Sequence, residues 1–270
     1  MGRYALSNNT VNNSRRKILK RGASLLGAGL SGSMLSPLVA GCDNTRSAGA
    51  GGTSRYLKYK DKLDQCFSAV LQDVMDGMNL RVQCMDPSIN PLTSNMKAWG
   101  EAVTIYVEEV SEVPEHPFQM EMEMLDETVE GQIIIAQCNA RTTSAFWGGL
   151  LSNAAVGHKV SGIIIDGGAR DYDEIVELGF PVFCKGLSPY DSLGRMDGKE
   201  RDIPVECGGI RVVPGDLVFG DVDGVVVVPQ GVVDEVVAKS WEKVQAESTV
   251  REELRSGASV VATFKKHGVL

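Results

Sequence analysis

Arg170 and Asp171 stand side by side directly after the run IIIDGGA. An arginine can grip a carboxylate through two parallel hydrogen bonds. An aspartate can hold a hard divalent cation such as Mg2+, which keeps several waters and takes only one or two carboxylates. A cation and a guanidinium next to each other suit a small anionic 2-oxo acid, because both stabilise negative charge developing on its carbonyl oxygen. The ordinary alternative is an aspartate that caps a helix start, beside a solvated arginine.

The elements that must position this pair are readable from periodicity. SGIIIDGG has the pattern of a buried strand and RDYDEIVELG that of a helix, so the pair falls where a strand meets the next helix. In open α/β sheets ligands bind at that edge, outside the carboxyl ends of the strands. Gly167 and Gly168 let the backbone bend there and let a small ligand approach. Upstream, LDQCFSAVLQDVMDGMN (63–79) has helical spacing, PSINPLTSN is a loop, and EAVTIYVEEV (101–110) alternates as a strand. FQMEMEMLDET is expected to be a helix, GQIIIAQC a buried strand and SAFWGGLLSNAAVGHK one helix, with Gly148 and Gly149 near its start. FPVFCKG reads as a strand, and DIPVECGGIRVVPGDLVFGDVDGVVVVP as several short strands split by glycine turns. GVVDEVVAKSWEKVQAESTVREELRSG forms a long helix ending at Gly257. The pattern is that of a single α/β domain without internal repeats.

The chain has 270 residues, 43% hydrophobic and only 6% aromatic, with a net charge of −8. An acidic chain with few aromatic residues is a poor partner for nucleic acid, whose phosphates demand excess Lys and Arg. Residues 1–41 carry Arg3, Arg15, Arg16, Lys17, Lys20 and Arg21 and no acid, so residues 42–270 carry −14. Of the six cysteines, none forms a CxxC pair or a metal-ligand spacing, and the body cysteines Cys66, Cys84, Cys138, Cys184 and Cys207 read as small buried hydrophobes, the alternative being disulfides that leave at least one unpaired. His116, His158 and His267 share no metal spacing either.

The basic head is followed by the weakly apolar run ASLLGAGLSGSMLSPLVAG and then Cys42, the layout of an export signal. Arg15–Arg16 with Lys17, Ile18, Leu19 and Lys20 resembles a twin-arginine signal, and VAGC (39–42) resembles a lipobox in which Cys42 is lipidated. The expected organisation is a signal peptide at 1–41, a lipidated Cys42 with a flexible Gly/Ser-rich tether to residue 54, and a folded domain over 55–270. The resemblance implies an exported bacterial lipoprotein, touching a membrane only through its anchor, on the periplasmic side or the cell surface.

GGLLSNAAVGHKVSGIIIDGGARD, FPVF, CGGIRVVPGDLVFGDVDGVVVVP and the early DVMDGMN together resemble the RraA-like family, over about Leu63 to Gly257. That family includes class II pyruvate aldolases that cleave 4-hydroxy-4-methyl-2-oxoglutarate. The resemblance implies a swivelling β/β/α fold assembled into trimers or hexamers with sites between subunits. It implies that Arg170 binds pyruvate and that Asp171 binds Mg2+ or Mn2+. It further implies that backbone amides of Gly148, Gly149 and Leu150 hold the substrate carboxylate, and that Glu247 reaches metal-bound water from a neighbouring subunit. Arg195 matches a basic position after FPVF; a surface loop residue is the alternative there, and an exposed helix acid is the alternative for Glu247.

One position departs from the pattern. The aldolases place an acid where this chain has Gly149, an acid thought to relay a proton to the pyruvate enolate. A general acid contributes roughly 10²- to 10⁴-fold in rate, and Asp166 is a candidate substitute. The expected function is a metal-dependent lyase acting on 4-hydroxy-2-oxo acids, on oxaloacetate, or on both. The alternative is a keto-acid-binding or scaffold protein without catalysis. A protein-binding regulator of an RNA-degrading enzyme, as some members are, fits less well with an intact Arg170–Asp171 pair, and no glycine-rich cofactor loop supports a methyltransferase.

Overall fold

In this computed structural model residues 52–139 and 144–268 are described. The signal peptide with Arg15 and Arg16, Cys42 and most of the tether lie outside them. After a short 3-10 turn at Arg55–Tyr59 come α1 (Lys60–Leu63), α2 (Ser68–Gly77), β1 (Asn90–Pro91), β2 (Ala98–Glu109) and α3 (Gln119–Glu127). Then follow β3 (Gln132–Asn139), β4 (Ala145–Trp147), α4 (Gly149–Gly157), β5 (Gly162–Ala169), α5 (Tyr172–Leu178) and β6 (Val182–Leu187). The chain continues through β7 (Met196–Arg201), β8 (Val205–Cys207), β9 (Ile210–Val212), β10 (Leu217–Asp221) and β11 (Gly224–Val228) to α6 (Val233–Arg255) and α7 (Val260–His267).

A nine-stranded sheet runs in the order β1-β6-β5-β3-β2-β10-β11, with β4 added on β5 and β7 on β2. Its centre, β2-β3-β5-β6, is parallel. Strands covered on both faces must be apolar throughout, which is why Ile133–Ala136 and Ile163–Ile165 are unbroken buried runs. On one face Met124 and Leu125 of α3, Ala155 of α4 and Ile175 of α5 pack against Ile134, Ala136, Ile163 and Ile165. The opposite face buries Ile133, Ile135 and Ile164 against Val205, Cys207 and Val212. A further apolar layer joins α2 and α6 over Leu217, Phe219, Val226 and Val228.

The segment expected as one helix divides: Ala145–Trp147 pairs with β5 as a parallel strand, and the helix starts only at Gly149. Two adjacent glycines are poor helix formers, and the preceding Ala145, Phe146 and Trp147 are fully covered where they pair with β5. The helix expected from residue 63 starts at Ser68, where Asp221 accepts hydrogen bonds from both the backbone N–H and the hydroxyl of Ser68 (2.8 and 2.7 Å). β7 escaped the sequence reading because MDGKER is polar, although its pairing with β2 buries Met196 and Gly198. α7 follows Gly257, capped by the Ser259 hydroxyl accepting from the Ala262 N–H.

Candidate active site

The strand–helix junction at residues 169–172 gathers the site. β5 ends at Ala169, flanked by β4 on one edge and β6 on the other. Gly168 makes the closeness of β4 feasible, since a Cβ there would lie 3.1 Å from the Ser144 carbonyl oxygen. The Arg170 N–H donates to the Trp147 carbonyl (2.9 Å), which fixes the turn to the end of β4. Asp171 opens α5 in the left-handed region (φ 61°, ψ 43°), a conformation that aspartate tolerates better than most residues.

Asp171 does not cap its own helix. Its Oδ2 accepts instead from the Gly149 N–H at 2.9 Å, the first residue of α4. The early N–H groups of a helix lack intrahelical acceptors and carry partial positive charge, so a carboxylate there is electrostatically favoured. The Arg170 Nε lies 3.6 Å from the same Oδ2, and its Nη1 lies 3.5 Å from Asp191 Oδ1. Both separations are long for hydrogen bonds, and about a third of the Arg170 side chain is open to solvent. The guanidinium is thus steered by two carboxylates and keeps an accessible edge for an anionic ligand.

Gly148 and Gly149 are buried beneath this cluster. A Cβ on Gly148 would lie 2.7 Å from Asp171 Oδ2 and 3.2 Å from Arg170 Nε. A Cβ on Gly149 would collide with Glu174 Oε2. Because the Gly149 N–H is already donated to Asp171, that amide is not a free donor for a substrate carboxylate. Leu150, the next residue, is 84% exposed, and as the second residue of α4 its N–H has no intrahelical acceptor.

Arg195 belongs to the same neighbourhood through one intermediate. Its Nη1 donates to the Asp191 carbonyl at 3.1 Å and its guanidinium lies over the Tyr190 ring, while the Asp191 carboxylate faces Arg170. Glu247 does not join them within one chain. It sits on α6, between Lys243 and Arg251 of its own helix (3.9 and 3.4 Å). Asp166, the candidate substitute acid, is engaged away from Arg170: its Oδ1 contacts Lys185 Nζ and its Oδ2 accepts from the Gly208 N–H at 3.1 Å. The side-chain hydrogen bond from Lys185 to Asp166 holds the lysine's pKa above its ordinary value.

Among the described residues no three His, Cys, Asp or Glu side chains converge as a metal-binding group. The donor set fits a cation that keeps most of its water: Asp171 offers Oδ1, and Oδ2 is already satisfied by Gly149. The histidines serve elsewhere, His158 lying 3.8 Å from Asp126 and His267 3.0 Å from Glu253. Burial pushes the Cys138 and Cys207 thiols upward, away from the reactive thiolate form.

Two site residues escaped the sequence reading, Glu174 and Asp191. Glu174 carried a weak signal, standing three positions after Asp171 and therefore on the same helical face. Asp191, in the loop SPYDSLGR, carried none.

A family model described as RraA-like, Aldolase/RraA, matches residues 68–227, more than half of the chain. The chain belongs to the RraA-like family. A Halalkalibacterium halodurans relative named "Putative 4-hydroxy-4-methyl-2-oxoglutarate aldolase" is 29% identical over 186 residues, covering 67% of this chain and 81% of its own length. Protein DlpA of Legionella pneumophila is 28% identical over 200 residues, 74% of this chain, but the match spans only 32% of DlpA. Among solved structures, an uncharacterized protein from Pseudomonas syringae superimposes with a TM-score of 0.69 at 25% identity, covering 79% of this chain and 96% of that one. RraAS2 of Streptomyces coelicolor, described as an unusual member of the RNase ES inhibitor RraA protein family, superimposes with a TM-score of 0.66 at 26% identity, covering 73% and 98%. The α/β fold is therefore the RraA-like fold, within a family that includes proteins named as aldolases.

Proposed function

We propose that this protein is a divalent-metal-dependent carbon–carbon lyase that cleaves 4-hydroxy-2-oxo acids to pyruvate, and that it decarboxylates oxaloacetate by the same electron flow. The observation that carries this reading is the meeting of the Arg170 guanidinium and the Asp171 carboxylate at the open start of α4. Both reactions leave an electron pair on C3 that must spread onto the C2 oxygen. Arg170 binds the substrate's oxygens and stabilises that charge. Asp171, with waters, would hold Mg2+ or Mn2+, which supplies a Lewis acid for the carbonyl. Asp191 and Asp171 keep the guanidinium oriented, and Arg195 adds positive charge on the Asp191 side. The proposal extends to the assembly, three or six copies with Glu247 reaching the site of a neighbour, and to location, a lipid anchor at Cys42 after twin-arginine export.

The test is to mix the mature domain with Mg2+ and oxaloacetate or a 4-hydroxy-2-oxo diacid and to couple pyruvate release to a dehydrogenase. Pyruvate that needs the metal and vanishes in Asp171→Ala and Arg170→Ala is the expected result. The second reading, a keto-acid binder without catalysis, is favoured by the glycine at position 149. Tight binding of the keto acid with no pyruvate released would establish it instead.

A further inference from the structure

The cleavage proposed above needs a group that moves a proton, and Asp171, Arg170 and Asp166 are all otherwise engaged. Asp191 is held against Arg170, so Glu174 is the acid of this cluster that stands outside its ion pairs. It is the third residue of α5, a position from which a glutamate ordinarily reaches back to cap its own helix. Here α5 has no side-chain cap, and Asp171 and Glu174 both cross to α4. Asp171 accepts from the Gly149 N–H, and Glu174 Oε1 accepts from Asn153 Nδ2 at 2.8 Å. Asn153 Nδ2 also donates to the Gly149 carbonyl at 2.9 Å, which ties the Glu174 carboxylate to the same helical turn. The other oxygen, Oε2, lies over the Gly149 α-carbon, in the place where a Cβ would be. The volume that a side chain at 149 would occupy is thus filled by the Glu174 carboxylate.

We infer that Glu174 is the proton-transfer residue of this site and that the bare backbone of Gly149 is what admits it. The assignment rests on the lyase reading. As the C3–C4 bond breaks, the Glu174 carboxylate takes the proton of the 4-hydroxyl, C4 becomes a carbonyl, and the bonding pair becomes the C2–C3 double bond of the enolate. Glu174 then returns that proton to C3, which restores the C2 carbonyl of pyruvate and its own carboxylate. No proton is gained or lost over the cycle, and no co-reactant is consumed. The same group, working on pyruvate alone, exchanges the methyl protons with solvent.

That exchange is the test, followed by proton NMR of pyruvate in D2O with Mg2+ and the folded domain. Binding of oxalate, a planar mimic of the enolate, is measured in parallel by calorimetry. Glu174→Gln keeps the acceptor for Asn153, so the variant is expected to bind oxalate as the parent does while exchange slows about 100-fold or more. Glu174→Ala is expected to slow exchange equally, and adding Gly149→Asp to it to restore a large part of the rate by placing a carboxylate in the same volume. Full exchange in Glu174→Gln would overturn the assignment and leave the lyase reading standing. Loss of oxalate binding in Glu174→Gln would overturn it too, because the residue would then only shape the pocket. A parent protein that binds oxalate but exchanges no protons would overturn both readings together.

Discussion

A glycine and a glutamate compete for one small volume in this site, and that competition can be tested without changing any ionisable group. Gly149→Ala places a methyl group against Glu174 Oε2, closer than two atoms can pack, so the carboxylate has to swing away. Pyruvate exchange in Gly149→Ala is expected to fall at least tenfold while oxalate binding holds. Gly148→Ala acts on a different partner. Its backbone is extended (φ −152°), so alanine is tolerated conformationally, but the new methyl meets Asp171 Oδ2 and the Arg170 side chain. Mg2+ and oxalate affinity are expected to weaken about tenfold, ~1.4 kcal/mol, as read by calorimetry. Opposite signatures from neighbouring glycines would separate ligand binding from proton transfer.

Elements in this fold are held by side chains borrowed from elsewhere in the chain. α2 has Phe67 before it and no cap of its own, and the buried Asp221 at the end of β10 accepts from the Ser68 N–H and hydroxyl. Asp221→Ala leaves those donors buried without an acceptor. It is expected to cost about 1–3 kcal/mol, more if the donors cannot reach water, measured by urea unfolding. Glu121 of α3 behaves in the opposite sense. It is 1% exposed, its Oε2 has no hydrogen-bond partner among the described residues, and burial raises its carboxyl pKa. Above the unfolded-state pKa of roughly 4.3 the unfolded chain releases this proton before the folded one does, so stability declines as pH rises through the interval between the two values. Glu121→Gln is expected to melt higher than the parent at pH 7, with the gap closing below about pH 4.

At the scale of the whole molecule, several large apolar side chains on the site-bearing segments are open to solvent. Leu150 at the start of α4 is 84% exposed, and Leu187, Tyr190 and Leu193, which flank Asp191 in the chain, are also exposed. Large exposed apolar side chains are candidates for burial at a contact surface, which accords with the proposed trimer or hexamer. Leu150→Asp is expected to lower the mass seen by analytical ultracentrifugation. The proposed anchor is checked by fractionation: Cys42→Ser is expected to move the protein from membrane to soluble fractions, and Arg15→Lys with Arg16→Lys to retain it in the cytoplasm. Among the described residues no helix is long and apolar enough to cross a membrane.

The alternation and apolar runs of the sequence determined the central sheet, because strands buried on both faces admit only residues such as Ile133–Ala136 and Ile163–Ile165. They also placed Arg170 and Asp171 at a strand–helix junction, since that junction is a local property of the chain. The sequence could not separate β4 from α4, because Phe146 and Trp147 suit a buried helix as well as a buried strand until β5 is there to pair with them. Nor could it tell which carboxylate serves the site. Asp166, four positions before Arg170, turns to Lys185 and Gly208. Glu174 reaches across to α4, into space that exists only because Gly149 has no side chain. Hydrophobic period is written along one segment, whereas the volume left by a missing side chain is filled by whatever the fold brings beside it, and that is decided only in three dimensions.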